Sequence, residues 1–154
     1  MTHQFDQRAY YFKIDTTIKK IRNVLQKKFI DSGIEITVDQ WVLIDHISRT
    51  PGISQIVLAD VTYKDPPTVT RIVDLLQKKG LVERRMATED RRKFNLFLTP
   101  AGEDIYNRAA PIVYDLRCQG WNNLSDEDYE NFARMMEQIY NNFNEIKEEA
   151  VVKI

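Results

Sequence analysis

The sequence predicts a mainly α-helical chain with one small β-hairpin, and three observations carry that prediction. Apolar residues recur at spacings of three and four along most of the chain, as they do where one face of a helix is buried. Clear alternation occurs at Phe94, Leu96 and Leu98, where it marks a strand. Caps and breakers then divide the helical stretches: Thr37 with Gln40, Thr50-Pro51-Gly52, Asp65-Pro66, Gly80, Thr99-Pro100, Gly120 and Ser125.

The first helix is expected over residues 5–30. Ile14, Ile18, Ile21, Leu25 and Phe29 form its stripe, Tyr10, Tyr11 and Phe12 cluster at its start, and lysines cover the rest of its surface. Asp31-Ser32-Gly33 ends it. Thr37 and Gln40 have the form of a capping box and open a helix over 38–49 that buries Trp41, Ile44 and Ile47. Ser54 caps a short helix ending near Thr62, with Ile53 and Leu58 placed as a hydrophobic staple.

The helix over 65–79 has both ends specified. Asp65 suits the cap, Pro66 the first helical position and Gly80 the left-handed residue past the end. Val69, Ile72, Val73 and Leu76 give it an apolar stripe. Thr68, Thr70, Arg71, Asp74, Gln77 and Lys78 occupy the other face. Strands are expected at 81–85 and 93–98, joined by a polar connection ending in Arg91 and Arg92. Thr99-Pro100 starts a helix with Ile105, Ala109, Ile112, Val113 and Leu116 on one side, bent at Pro111. A last helix follows Ser125, its seam being Tyr129, Phe132, Met136, Ile139, Phe143 and Ile146.

A short helix, a tight turn, a second helix and a hairpin with a cationic tip are the layout of a winged helix-turn-helix. In that module the second helix enters the major groove, and the tip arginines reach an adjacent minor groove. Charge fits this reading once it is divided along the chain. The net charge is −1, but residues 64–93 carry nine Lys/Arg against five Asp/Glu, while 121–154 carry three against eight. Local sign decides whether a surface attracts phosphate. Ser54 and Gln55, at a helix start, are also placed to donate to phosphate.

With 154 residues and 43% hydrophobic content, one domain with a core of its own is expected. No apolar run is long enough for a bilayer, and the first residues lack the blocks of a signal peptide, so no membrane partner and a cytoplasmic location are expected. One cysteine, Cys118, excludes an internal disulfide. His3, His46 and Cys118 offer neither metal-ligand spacing nor a paired nucleophile and base, and five glycines form no phosphate loop. No enzyme, metal or cofactor is expected. The competing reading is a winged helix used to bind protein, which predicts apolar residues on the exposed face of the 65–79 helix.

Leu58-Ala59, Thr68-Val69-Thr70-Arg71, Leu76 with Gly80-Leu81-Val82 and Arg84, Asp90 with Arg92, and Leu98-Thr99 with Gly102 resemble, in this order and spacing, the signature of the MarR regulators. The resemblance implies a homodimer in which 1–35 and 100–154 supply dimerisation helices and 36–99 the DNA-binding lobe. Apolar faces on both terminal helical regions agree, since 36–99 is too small to cover both. Two-fold symmetry sets the recognition helices ~34 Å apart on a palindromic operator.

The resemblance further implies that Pro67, Thr68, Thr70 and Arg71 lie at the major groove, although two prolines at 66 and 67 depart from the usual small polar residues. Arg92 becomes the minor-groove residue, Asp90 orients the wing by an ion pair, and Lys64, Arg84, Arg91 and Lys93 contact phosphates. A repressor released by a small aromatic or phenolic ligand is implied, with Tyr10, Tyr11, Phe12, Trp41 and His46 as candidate pocket residues. Cys118 is the alternative, a redox sensor, against the plainer reading of a thiol packed in the dimer body.

Overall fold

In the computed structural model, which describes residues 7–146, α1 (Gln7–Asp31) ends in a turn at Gly33, and the chain then enters α2 (Val38–Arg49) through the expected reciprocal cap. Thr37 accepts the Gln40 N–H at 3.1 Å, and the Gln40 side chain accepts the Thr37 N–H at 3.1 Å. Residues 5 and 6 of the expected first helix, His3, and the charged residues at 147–154 lie outside the described residues.

The expected hairpin is one part of a three-stranded antiparallel sheet. Its strands are β1 (Ile53–Ser54), β2 (Val82–Met86) and β3 (Phe94–Leu98), in the order β1-β3-β2. β1 pairs Ile53 with Leu96 and Ser54 with Asn95, and the Gly52 N–H donates to the Leu96 carbonyl at 2.8 Å. Two residues carry no periodicity, so nothing local marks this strand. Of the alternating residues Phe94, Leu96 and Leu98, Leu96 alone is fully buried, because Phe94 lies out toward the hairpin tip and is exposed.

Between β1 and β2 run α3 (Gln55–Val61), capped by Ser54, and α4 (Pro66–Lys78), capped by Asp65. α4 ends at Gly80, whose φ of +73° is a left-handed conformation that suits glycine. The α4 stripe of Val69, Ile72, Val73 and Leu76 is buried as expected. It joins Phe29, Leu43, Ile44, Ile47, Leu58 and Leu96 in one core. Trp41 is part of that core, stacked on Tyr106 with centroids 5.5 Å apart and edge-on to Phe29.

The helix α5 (Pro100–Gly120) begins against the sheet. Thr99 caps it by accepting the Gly102 N–H, and donates its own N–H to the Leu81 carbonyl and its hydroxyl proton to the Gly80 carbonyl. Approach here is so close that a Cβ on Gly102 would sit 2.0 Å from the Leu81 carbonyl oxygen. The helix runs through Pro111 without interruption.

α6 (Asp126–Asn144) opens with a second reciprocal cap between Ser125 and Asp128. Trp121 packs against Tyr129 and Phe132 at its start. No α6 residue is buried, and Ile14, Ile18 and Ile21 on α1, with Tyr129, Phe132 and Phe143 on α6, stay exposed. Among the described residues no helix is long and apolar enough to cross a membrane.

Candidate nucleic-acid interface

α4 is amphipathic with its stripe locked into the core, so its polar side faces outward by default. The first turn is organised by Asp65. Its carboxylate accepts the Thr68 hydroxyl at 2.6 Å and the Thr68 N–H at 3.0 Å, which together hold the Asp65 carboxyl below the usual range. Pro67, Thr70 and Arg71 are exposed beside it, and Thr68 is half-buried.

A hydrogen-bonded relay links α4 to the start of α3 and to β2. The Gln55 amide donates from Nε2 to Thr70 Oγ1 at 2.8 Å. Gln55 Oε1 accepts from Arg84 Nε at 3.1 Å. Arg84 also reaches Asp74 at 2.5 Å, Gln77 at 2.9 Å and the Thr70 carbonyl at 3.3 Å. With its side chain 16% exposed, Arg84 is committed to the protein rather than held out as a free phosphate contact.

The wing tip is open by contrast. Asp90 accepts the backbone N–H of Arg92 at 3.0 Å and its Nε at 3.3 Å, the first being the main reason that its carboxyl sits below the usual range. Asp90 thereby shapes the turn, which Lys93 closes by donating its N–H to the Asp90 carbonyl. The Arg92 side chain is 91% exposed, and Arg91 and Lys93 are exposed on either side. A groove of about 100 Å³ connects this tip to the helix starts, lined by Ser54, Gln55, Ile56, Pro66, Arg92, Lys93 and Phe94. Thus Ser54, Gln55, the first turns of α4 and the cationic tip border one surface.

Lys64 stands apart from that group. It donates to Asp39 at 2.9 Å, and the same carboxylate oxygen accepts from Arg22 of α1 at 2.7 Å. Partial burial alone would raise the Asp39 carboxyl, but the bonds from Lys64 and Arg22 outweigh it and the net shift is downward. Lys64 and Arg84 therefore enter the local positive count without being available cations. Asp74 was the readable sign of this, a carboxylate on the outward face of a basic helix. Arg85 pairs with Glu83 and lies over the Phe97 ring at 4.1 Å from its centroid.

Of the ligand candidates, Trp41 is enclosed by Phe29 and Tyr106, His46 and Tyr10 are half-buried, and Tyr11 and Phe12 are exposed on α1. A cavity of about 380 Å³ opens elsewhere, lined by Gln26, Ile30, Ile34, Ile36, Thr37 and Lys79 among others. Cys118, expected to be packed, is exposed among the described residues.

Residues 32–93, from the end of α1 through the helix-turn-helix and β2 to the hairpin tip, match the MarR family model. Over those residues the chain is similar to the MarR family of transcription regulators. Solved MarR-type structures share its fold along nearly its whole length. A MarR protein from Peptoclostridium difficile is 19% identical, with 93% of this chain and 92% of that one covered at a TM-score of 0.81. Staphylococcus aureus MepR, solved as a DNA complex, is 19% identical over 90% of this chain and 99% of that one, also at 0.81. A mutant Escherichia coli MarR complexed with operator DNA is 24% identical, covering 88% and 99%, at 0.74.

Proposed function

We propose that this chain is a MarR-type, sequence-specific DNA-binding protein acting in the cytoplasm as a homodimeric repressor on a palindromic operator, released by a small-molecule ligand. The observation that carries the reading is the shared surface on which the polar first turns of α4 adjoin a wing tip bearing the freely exposed Arg92. A helix supplying hydroxyls and an arginine reads base edges, while an arginine at a hairpin tip suits a narrow minor groove. MepR and E. coli MarR were each solved with DNA, which supports the same use of this surface here.

In this reading Pro67, Thr68, Thr70 and Arg71 face the major groove, Arg92 enters the minor groove, and Arg91, Lys93, Ser54 and Gln55 border the phosphates. Lys64 and Arg84 act inside the protein. Residues 36–99 form the DNA-binding lobe, and 1–35 with 100–154 the dimer body. The unburied apolar faces of α1 and α6 support pairing with a second copy, since patches of this extent are rarely left in water. A ligand releases such a dimer only by favouring the conformation that misplaces the two lobes, with a coupling of about 1–3 kcal/mol.

The protein-binding alternative needs an apolar outer face on α4. Beyond the prolines at 66 and 67 that face is polar apart from Leu75, which lies in the C-terminal half. The test is binding of the full chain to fragments of its own upstream DNA over a salt series, with Arg92→Ala alongside. Selection of a palindrome with a steep salt slope, weakened by the substitution, is the expected result. Absence of binding at low salt would refute the reading.

A further inference from the structure

Two threonine hydroxyls on the outer side of α4 have their hydrogen-bond polarity set from within the protein, and in opposite senses. An ionised carboxylate can only accept, so the 2.6 Å contact between Thr68 Oγ1 and Asp65 Oδ1 commits the Thr68 proton to Asp65. Thr68 is left with lone pairs to offer. At Thr70 the arrangement is reversed. Arg84 Nε can only donate, so the Gln55 atom facing it at 3.1 Å is the amide oxygen, and the amide nitrogen is therefore the atom 2.8 Å from Thr70 Oγ1. Thr70 accepts from Gln55, and among the described residues its own proton has no acceptor, unlike those of Thr16 and Thr62, which bond to backbone carbonyls four residues back. Arg84 is itself held by Asp74 and Gln77, so the orientation of Gln55 is fixed from the sheet outward.

We propose that Arg84 is a positioning residue for base recognition, which through Gln55 presents Thr70 to DNA as a hydrogen-bond donor while Asp65 presents Thr68 as an acceptor. This rests on the DNA-binding reading above and deepens it. Guanine and thymine show acceptors in the major groove and cytosine shows an amino donor, with adenine showing one of each. The operator accordingly carries guanine or thymine against Thr70 and disfavours cytosine there. Against Thr68 it carries the amino group of cytosine or adenine.

The test is selection of binding sites from a randomised DNA duplex pool by the full-length wild type and by Thr70→Val, Gln55→Glu and Arg84→Met. A carboxylate at position 55 can only accept, so it draws the Thr70 proton inward and exposes lone pairs instead. Gln55→Glu is expected to invert the preference at one operator position per half-site, from guanine or thymine to cytosine or adenine. Thr70→Val, an exposed near-isosteric change, abolishes discrimination at that same position, which for one hydrogen bond is about tenfold. Arg84→Met relaxes it while leaving the salt slope unchanged. A selected consensus that keeps the same base there in Gln55→Glu and Thr70→Val overturns the proposal and leaves the DNA-binding reading intact. A fall in salt slope of about 0.9 in Arg84→Met would make Arg84 a phosphate contact and overturn its positioning role. A wild type that selects nothing defeats the DNA-binding reading itself, and this inference with it.

Discussion

Gly102→Ala is the sharpest test of how the start of α5 is seated on the sheet. A Cβ at that position would lie 2.0 Å from the Leu81 carbonyl oxygen and 3.0 Å from its carbon, where an ordinary contact is no closer than 3.4 Å. Neither partner can turn aside. The obstacle is backbone, and the Leu81 carbonyl is also bound by the Thr99 N–H at 3.1 Å. Relief requires the start of α5 to move off the sheet by more than 1 Å, which loosens the Thr99 cap and its bond to Gly80. Forcing a methyl into a packed site costs about 1–3 kcal/mol or more, and a lost cap adds about 1 kcal/mol, against roughly 1 kcal/mol that alanine returns in helix propensity. The net expectation is a loss of about 2 kcal/mol. For a chain of this length that lowers Tm by about 4–8 °C, measured by thermal and urea denaturation at fixed protein concentration. A variant as stable as the wild type would show that the close approach of Gly102 to Leu81 is not a feature of the folded protein. DNA affinity should fall as well, because the same displacement re-aims the lobe relative to α5.

Arg92→Ala should reduce both DNA affinity and the salt slope, by about 0.9 if one phosphate contact is lost, without moving Tm, since the side chain is open to solvent; binding titrations at several salt concentrations and a melt report the two effects separately. Asp39→Asn removes a carboxylate whose folded value is held below its unfolded one. Its contribution, about 1 kcal/mol after screening of a half-exposed pair, is present above the unfolded range and disappears as pH falls through the folded value. Urea midpoints below about pH 4 should therefore converge for wild type and variant, and separate above it. Ile18→Glu, on the exposed stripe of α1, should shift the chain from dimer to monomer in analytical ultracentrifugation; an unchanged sedimentation coefficient would remove α1 from the dimer face.

What the sequence revealed was local in origin. Asp65, Thr37 with Gln40, Ser125 and Gly80 act through bonds or backbone angles within a few residues, so their residue types name their roles. Strand β1 escaped because its two residues are defined by Leu96 and Asn95, more than 40 positions away. The site divided the same way. Arg92 was readable as an exposed cation at a turn, whereas Arg84 and Lys64 looked equally free until the fold set Asp74 and Asp39 beside them. Composition counts charges but does not pair them. The terminal stripes were legible as apolar faces, and among the described residues nothing buries them.

That last feature bears on how the protein would behave at different abundances. α6 is a 19-residue helix none of whose own residues is buried, and in proteins most helical stability comes from packing an amphipathic face. If the partner copy supplies that burial, a lone protomer loses its last helix rather than only a neighbour. Exchange of subunits then requires unfolding, so mixed dimers with related chains form slowly. Under that proposal, newly made chains below the association threshold would expose Phe132 and Phe143 to proteases, which would clear unpaired chains and leave the paired form to accumulate.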